Sequence, residues 1–155
     1  MPATTFMLPE NYGYVFAVLS ASFFMNYYLS YNVISARKKY GVEYPALYAP
    51  SCHKFEHQFN SVQRAHQNTL ETYAVTMLQM CLNGIVYPVT SAIFGGVWVL
   101  GRILFGGGYS KYGPAGRHGG SILSALGSVP LLIMSMKITY DLIRKCSLVL
   151  FTVFD

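Results

Sequence analysis

Four apolar stretches alternate with polar connections along the chain and predict four helices that span a membrane. They cover about residues 12–35, 59–87, 91–105 and 121–143. All but the third exceed the roughly 20 residues that a helix needs to cross a hydrocarbon core of about 30 Å. The third is short and carries glycines, which favour close packing against a neighbouring helix. The pattern therefore predicts an all-α fold, an integral membrane four-helix bundle in which residues 1–155 form a single domain.

Charged residues, prolines and glycines set the expected ends of these helices. The first stretch stops at Arg37-Lys38-Lys39, and the second begins near residues 56–59 and runs to the residue before Pro88. The first three turns of the second helix are polar, so this helix is expected to begin outside the apolar core. Residues 106–120 are glycine-rich and form either a loop or a frayed extension of the third helix. Pro130 predicts a kink in the fourth helix.

Composition supports a membrane protein and argues against a soluble one. The chain has 155 residues, of which 53% are hydrophobic and 11% charged, whereas ordinary soluble domains are about 25% charged. A soluble protein of this length lacks the charges needed to cover its surface. The net charge of +5 therefore reflects topology and lipid contact, because the basic residues cluster at the ends of apolar stretches rather than in a nucleic-acid-binding patch.

The basic residues are distributed unevenly and predict an orientation. Eight follow the first and third stretches: Arg37, Lys38, Lys39, Lys54, Arg64, Arg102, Lys111 and Arg117. Three belong to the opposite side: Lys137, Arg144 and Lys145. The positive-inside rule then places both long connections in the cytoplasm and both termini on the other side.

A polar stripe opens the second predicted helix. Arg64, Asn68 and Glu71 are spaced i, i+4 and i+7, within about 60° of one another on one helical face. Charges at or inside a bilayer are costly and are usually paired or functional. Two turns is a long reach for a pair between Arg64 and Glu71, so a zwitterionic, peptide-like ligand or a neighbouring subunit is the expected partner. The alternative is that these residues only anchor the helix end in the headgroups.

Tyr109 and Arg117 precede the fourth stretch and are further candidates for ligand contact. An arginine at a helix start is unfavourable to the helix dipole, which suggests that Arg117 stabilises an anion such as a substrate thiolate. The alternatives are headgroup contact for Arg117 and an interfacial anchor for Tyr109. His53 and His57 have no evident third ligand, and the three cysteines form no C-x-x-C pair, so no metal site is predicted.

Several segments resemble the family of membrane-associated proteins in eicosanoid and glutathione metabolism. The most specific is the run RAHQNTLE at residues 64–71, and the others lie at residues 33–40, 42–45 and 101–104 and at Gly108-Tyr109. The resemblance covers nearly the whole chain, with the same order of four spans. It implies a homotrimer in which glutathione, the cosubstrate, lies between subunits near the cytoplasmic face.

The resemblance also implies roles for individual residues. Those that would contact glutathione are Arg37, Arg64, His66, Asn68, Glu71, Tyr73 and Tyr109. Arg117 would be the catalytic residue that stabilises the thiolate, although the match to the family's arginine carries a possible offset of one residue. Two positions depart from the family pattern: Phe105 replaces a tyrosine, and Thr72 replaces an aromatic residue.

The implied function is that of a membrane glutathione transferase or peroxidase. Such an enzyme conjugates or reduces lipophilic electrophiles and lipid hydroperoxides with glutathione, and leukotriene-C synthase activity is one form of this chemistry. The implied location is the endoplasmic reticulum membrane, crossed several times, with a mitochondrial membrane as the alternative. Because Phe105 removes one hydroxyl group, a second interpretation stays open: a non-catalytic member that acts as a lipid-binding helper or as a membrane subunit of a larger complex.

Overall fold

A computed structural model describes the backbone of residues 7–153 and the side chains of residues 7–145, and this part of the chain contains helices and no strand. The α-helices are α1 (Gly13–Tyr40), α2 (Glu56–Gly84), α3 (Pro88–Tyr112) and α4 (His118–Val153). A 3-10 turn, Gly113–Arg117, joins α3 to α4. The prediction of an all-α fold is confirmed.

The third and fourth helices are not separate, and here the prediction was wrong. From Pro88 to Val153 the chain is continuously helical. Residues 7–153 therefore contain three helical runs separated by non-helical residues, not four. Of the two alternatives for the glycine-rich segment, the structure has the helix extension. α3 ends at Tyr112, and the next residue, Gly113, has a φ of 64°, a conformation that glycine adopts without a steric penalty. Pro114 is the second residue of the 3-10 turn, where its fixed φ suits a helical start.

α1 and α2 also end at residues other than those predicted. α1 continues through the basic cluster to Tyr40, and Gly41 caps it with a φ of 68° and a hydrogen bond from its N–H to the Arg37 carbonyl. Basic residues in a last helical turn are favourable to the helix dipole, so the cluster belongs to the helix. α2 ends at Gly84 rather than Tyr87, in part because the residue before Pro88 is sterically kept from the α conformation.

α3 lies at the centre of the subunit, and glycines bring α4 against it. Trp98 on α3 is 1% exposed and packs in a core with Met80, Leu29 and Leu131. A Cβ atom added at Gly120 of α4 would overlap the backbone of Phe105 on α3. Gly101 and Gly127 are equally close to the backbone of the partner helix. Small residues of this kind allow helix backbones to approach closely in membranes.

The outer surface of the helices is apolar, as expected for a surface that faces lipid. In the described part of the chain, the run Pro88–Lys145 is the one helix long and apolar enough to cross a membrane by length and composition. Its most apolar stretch has a mean hydropathy of 1.6, and 17% of that stretch is buried. Phe23, Phe24 and Tyr27 of α1 are more than 60% exposed. Large exposed apolar surfaces mark membrane or protein contacts, so the chain is a membrane protein, while its count of spans stays a prediction.

One end of the subunit gathers the C-terminal ends of α1 and α3 and the N-terminal end of α2. Lys39, His57 and Tyr112 line one cavity there. The first half of α2 lies beside the α3–α4 reversal, which is the 3-10 turn Gly113–Arg117 with the adjoining ends of α3 and α4. This arrangement positions the site described next.

Candidate functional site

The polar stripe of α2 forms an ion pair within the helix. Nη1 of Arg64 lies 2.8 Å from Oε1 of Glu71, so the expectation that these residues would not pair was wrong. The two residues are about 10.5 Å apart along the helix axis, but on the same face, and their long side chains lean toward each other. The side chains are 44% and 42% exposed. An ion pair this exposed contributes little to stability and leaves both charges accessible to a ligand.

Asn68 connects this ion pair to a buried arginine. Its Nδ2 donates to Oε2 of Glu71 at 3.1 Å, and its Oδ1 accepts a hydrogen bond from Nη2 of Arg102 at 2.8 Å. Arg102 is 5% exposed and also donates to the Thr69 hydroxyl from Nε and Nη2, at 3.1 and 3.0 Å. Charge-assisted hydrogen bonds of this kind are stronger than neutral ones. Arg102 therefore fixes the orientation of the Asn68 amide.

Arg102 was counted among the basic residues that flank the third span, and its role in the site was missed. The structure places it inside α3, with its guanidinium 4.3 Å from the centre of the Phe105 ring, a cation–π distance. The sequence did contain a signal, because an arginine between Trp98 and Phe105 interrupts an apolar helix. An ionisable residue at such a position indicates a functional site.

A cavity of about 370 Å³ lies between α2 and the α3–α4 reversal. Its lining residues are Arg64, Asn68, Phe105, Tyr109, Arg117, His118 and Ser121. Its volume lies at the lower end of the range for ligand pockets, about 300–1,000 Å³. Four residues that were predicted from the sequence are thus brought together: Arg64, Asn68, Tyr109 and Arg117.

The charges around this cavity favour an anion that also carries a positive group. The Arg117 side chain has no hydrogen bond or ion pair with any residue whose side chain the structure describes, so its guanidinium N–H donors are available to a ligand. Arg64 and His118 add further donors, whereas Glu71 provides a carboxylate at the edge through its contacts with Arg64 and Asn68. A guanidinium binds carboxylates and thiolates, and a carboxylate binds an ammonium.

Arg37 contacts the connection between α1 and α2 rather than this cavity. It is 8% exposed, and Nη1 donates to the Ala46 carbonyl at 2.8 Å. Its guanidinium lies 4.4 Å from the centre of the Tyr44 ring. These contacts hold the connection after α1 against the end of that helix. The ligand contact implied for Arg37 stays a prediction.

His66 and Tyr73 also point away from the cavity, toward α1. Nε2 of His66 lies 3.1 Å from Oδ1 of Asn26. The Tyr73 hydroxyl lies 2.9 Å from Oγ of Ser22. Within one subunit both residues join α2 to α1, and their implied contacts with glutathione stay predictions.

A second cavity, of about 530 Å³, begins beside the first and follows α2 and α4. Glu71, Arg102 and Ser121 line one end. Farther along, the lining becomes apolar, with Val75 and Leu132. Ser121 lines both cavities, so a polar cavity and a largely apolar groove meet at this residue. A reacting group in the first cavity would be next to a lipophilic molecule in the second.

Comparison with known proteins identifies the family of this chain. Residues 15–137 match the model of the MAPEG family, and every lining residue of the two cavities falls within that range. Over 103 residues the chain is 38% identical to an uncharacterized protein of the cyanobacterium Synechocystis sp.. That alignment covers 66% of this chain and 70% of the relative. The chain therefore belongs to the MAPEG family, which includes glutathione transferases and related enzymes.

Proposed function

We propose that this protein is a membrane glutathione transferase that also reduces lipid hydroperoxides. The observation that carries the proposal is the cavity that combines Arg64, Asn68, Tyr109 and Arg117 and meets an apolar groove at Ser121. Within the family, the run RAHQNTLE at residues 64–71 resembles type 3 microsomal glutathione S-transferase.

Glutathione has the charges that this cavity favours. It carries two carboxylates and one ammonium group at neutral pH, and its thiol supplies the nucleophile. Glu71 would bind the ammonium, Arg64 would bind a carboxylate, and Asn68, oriented by Arg102, would hydrogen-bond to the peptide. Tyr109 lines the same cavity and offers a hydroxyl donor.

Arg117 would stabilise the thiolate form of bound glutathione. A nearby cation favours the charged form of a thiol and lowers its pKa. With an epoxide, the thiolate sulfur attacks carbon, the C–S bond forms, the C–O bond breaks, and the oxygen takes a proton from water. With a hydroperoxide, the sulfur attacks the terminal oxygen, the S–O bond of glutathione sulfenic acid forms, the O–O bond breaks, and the alkoxide takes a proton from water and leaves as an alcohol. A second glutathione then converts the sulfenic acid to glutathione disulfide and water. The cosubstrate is the nucleophile, so no protein nucleophile is required.

The lipophilic substrate would reach the thiolate along the groove between α2 and α4. Its apolar lining, with Val75 and Leu132, suits an acyl chain, and Ser121 lies where the electrophilic group would meet the sulfur. Arg64 and Glu71 are more than 40% exposed in one subunit. A homotrimer would cover them, and in that assembly Arg37, His66 or Tyr73 of a neighbouring copy could complete the glutathione site.

A second candidate function is a non-catalytic role, as a lipid-binding helper or a membrane subunit of a larger complex. The observation that favours it is Phe105, which lines the cavity and offers no hydroxyl where the family has a tyrosine. The apolar groove would serve lipid binding equally well.

The Arg117→Ala variant separates the two functions. We expect it to keep glutathione binding largely intact and to lower turnover by roughly 10–1,000-fold, the effect of losing one charge that stabilises the reacting group. The pH at which bound glutathione ionises, read from thiolate ultraviolet absorbance, is expected to rise. Arg117→Lys is expected to restore part of the activity, since lysine supplies charge without the planar fork.

Arg144→Ala is the matched control, because it removes the same charge from the far part of α4 and is expected to leave turnover unchanged. The enzyme proposal fails if the wild-type protein forms no thiolate below the pH at which free glutathione ionises. It fails equally if no lipid epoxide, hydroperoxide or chloronitrobenzene is turned over.

A further inference from the structure

A separate cleft lies between α1 and α3 and shares no lining residue with the candidate glutathione cavity. It consists of two adjoining parts of about 340 and 590 Å³. Both parts are lined by Lys39, Tyr40, Ser110 and Lys111. Since the two parts have these residues in common, both lysines lie where the two parts adjoin.

The lysines make this cleft positively charged. The Nζ atoms of Lys39 and Lys111 lie 5.0 and 5.1 Å from the ring centres of the adjacent Tyr40 and Tyr112. Neither lysine pairs with a carboxylate among the side chains of residues 7–145. No aspartate or glutamate lines either part of the cleft, whereas His57 lines the larger part. An anion would therefore enter without displacing an existing ion pair.

The smaller part of the cleft descends from the lysines into the apolar zone. On α1 it follows Lys39, Ser35, Asn32 and Tyr28, which are three or four residues apart and lie on one helical face. From Lys39 to Tyr28 the helix covers about 16 Å, close to half the thickness of a hydrocarbon core of about 30 Å. Along this face of α1 the charge is confined to the Lys39 end, and uncharged polar residues follow it.

The opposite wall of this part is α3, and at one position it has no side chain. Gly107 lines the cleft, and a Cβ atom added there would meet nothing within 4 Å. Other glycines of α3, such as Gly101, contact the backbone of α4. Gly107 instead leaves open space beside the α1 residues that line this part of the cleft.

We propose that this cleft binds one anionic glycerophospholipid per subunit. The phosphate would lie between Lys39 and Lys111, the glycerol esters near Ser35 and Asn32, and one acyl chain beside Tyr28 in the space left by Gly107. Basic pockets between membrane helices bind anionic headgroups, and each lysine near such a surface contributes about 1 kcal/mol. A free phosphate ion would use the same lysines but would gain nothing from the lower part of the cleft.

The first test compares two double variants with equal charge changes by native mass spectrometry of the detergent-solubilised protein. Lys39→Ala/Lys111→Ala removes the two cleft lysines. Lys38→Ala/Lys54→Ala removes two lysines that line neither part of the cleft. We expect the wild type to bind dioleoylphosphatidylglycerol in preference to dioleoylphosphatidylcholine. The cleft variant is expected to lose about 30-fold in affinity for the anionic lipid, the factor for about 2 kcal/mol. The control variant is expected to stay within about twofold.

Equal losses in the two double variants would mean that only general surface charge attracts the lipid, and the proposal would be wrong. Equal binding of the anionic and the zwitterionic lipid would also overturn it.

The second test fills the cleft and leaves its charge unchanged. Gly107→Leu places a side chain in the open space, and leucine also favours a helix more than glycine does, so the fold is expected to persist. We expect this variant to lose at least about tenfold in affinity for dioleoylphosphatidylglycerol, about 1.4 kcal/mol. Lipid binding equal to that of the wild type would show that no acyl chain occupies the cleft. Displacement of the lipid by millimolar inorganic phosphate would assign the site to a free anion instead.

Discussion

Arg102 determines how the polar residues of α2 are arranged. The residue is 5% exposed, and its guanidinium donates hydrogen bonds to Asn68 and Thr69 of α2. The Phe105 ring covers one side of the guanidinium. A buried cation with this many contacts is costly to disturb, because removing it leaves its partners unsatisfied in a region of low dielectric constant.

Arg102→Met therefore tests whether this arginine supports the site. Methionine has a similar length and no donors, so Oδ1 of Asn68 and the Thr69 hydroxyl would lose a charge-assisted hydrogen bond. We expect a loss of about 2–4 kcal/mol in stability together with weaker glutathione binding. Thermal unfolding in a fixed detergent and calorimetric titration would measure the two effects. Arg144→Met, at an exposed position, is the control, and an unchanged melting temperature for Arg102→Met would contradict this role.

Arg64→Ala is expected to weaken glutathione binding by roughly 10–100-fold, about 1.5–3 kcal/mol for a hydrogen bond to a charged group. The 44% exposure of its side chain argues against a larger effect. Because the single variant leaves Glu71 without its ion-pair partner, although Asn68 still donates to it, Arg64→Ala/Glu71→Ala should show non-additive losses in a double-mutant cycle. Titration of the intact assembly measures each affinity. Equal binding by wild type and Arg64→Ala would remove this face of α2 from the site.

The stripe of Arg64, Asn68 and Glu71 could be predicted because helix geometry alone places those spacings on one face. The contact of Asn68 with Arg102 could not, since it depends on how α2 and α3 are rotated against each other. The ion pair between Arg64 and Glu71 was not predicted, because helix rise separates the two Cα atoms by nearly two turns. The two long side chains close this distance by leaning toward each other.

At the level of helices, the close contact of α3 and α4 gives the reversal its form. Glycine has a low helix propensity, so the sequence of residues 106–120 was compatible with a loop as well as with a helix. Tertiary packing outweighs that preference, because Gly120 is where α4 meets the backbone of Phe105 and Gly108 and Gly116 meet across the turn. The ends set by local chemistry, such as Pro88 at the start of α3, were predictable within a few residues.

Two adjacent glycines of α4 provide a matched test of this packing. Gly120→Ala would push against the Phe105 backbone, whereas Gly119→Ala would meet nothing within 4 Å. We expect Gly120→Ala to cost about 1–3 kcal/mol, the usual effect of overpacking, and to disturb the cavity that Phe105 lines. Gly119→Ala is expected to be neutral or slightly stabilising. The measurement is the melting temperature of each variant in the same detergent. Equal melting temperatures would show that α3 and α4 can move apart at Gly120 without a loss of stability.

For the whole molecule, the arrangement of the helix ends agrees with the expected orientation but does not fix it. The ends of α1 and α3 and the start of α2 lie together around Lys39, His57 and Lys111. Arg102, which was counted as a flanking charge, lies instead inside α3. The basic excess at this end persists without it, so the positive-inside rule still favours the cytoplasm.

Protease protection in sealed vesicles whose cytoplasmic face points outward tests this orientation. A cleavage site inserted near Pro50, in the connection between α1 and α2, is expected to be cut, and a tag after residue 155 is expected to be protected. Detergent lysis should expose the tag and serves as the control. The opposite pattern would place the glutathione cavity on the other side of the membrane.

The exposed pair of Arg64 and Glu71 has a consequence for the choice of ligand. In the free protein each charge already has a partner 2.8 Å away. A molecule that carries both an ammonium and a carboxylate can exchange partners with the pair, so that no charge is left alone at any stage of entry. A molecule with only one of the two groups must leave Arg64 or Glu71 unpaired. If glutathione binds here as proposed, we expect the pair to give a modest preference for amino-acid-like ends over simple fatty acids and simple amines, because an ion pair this exposed is weak.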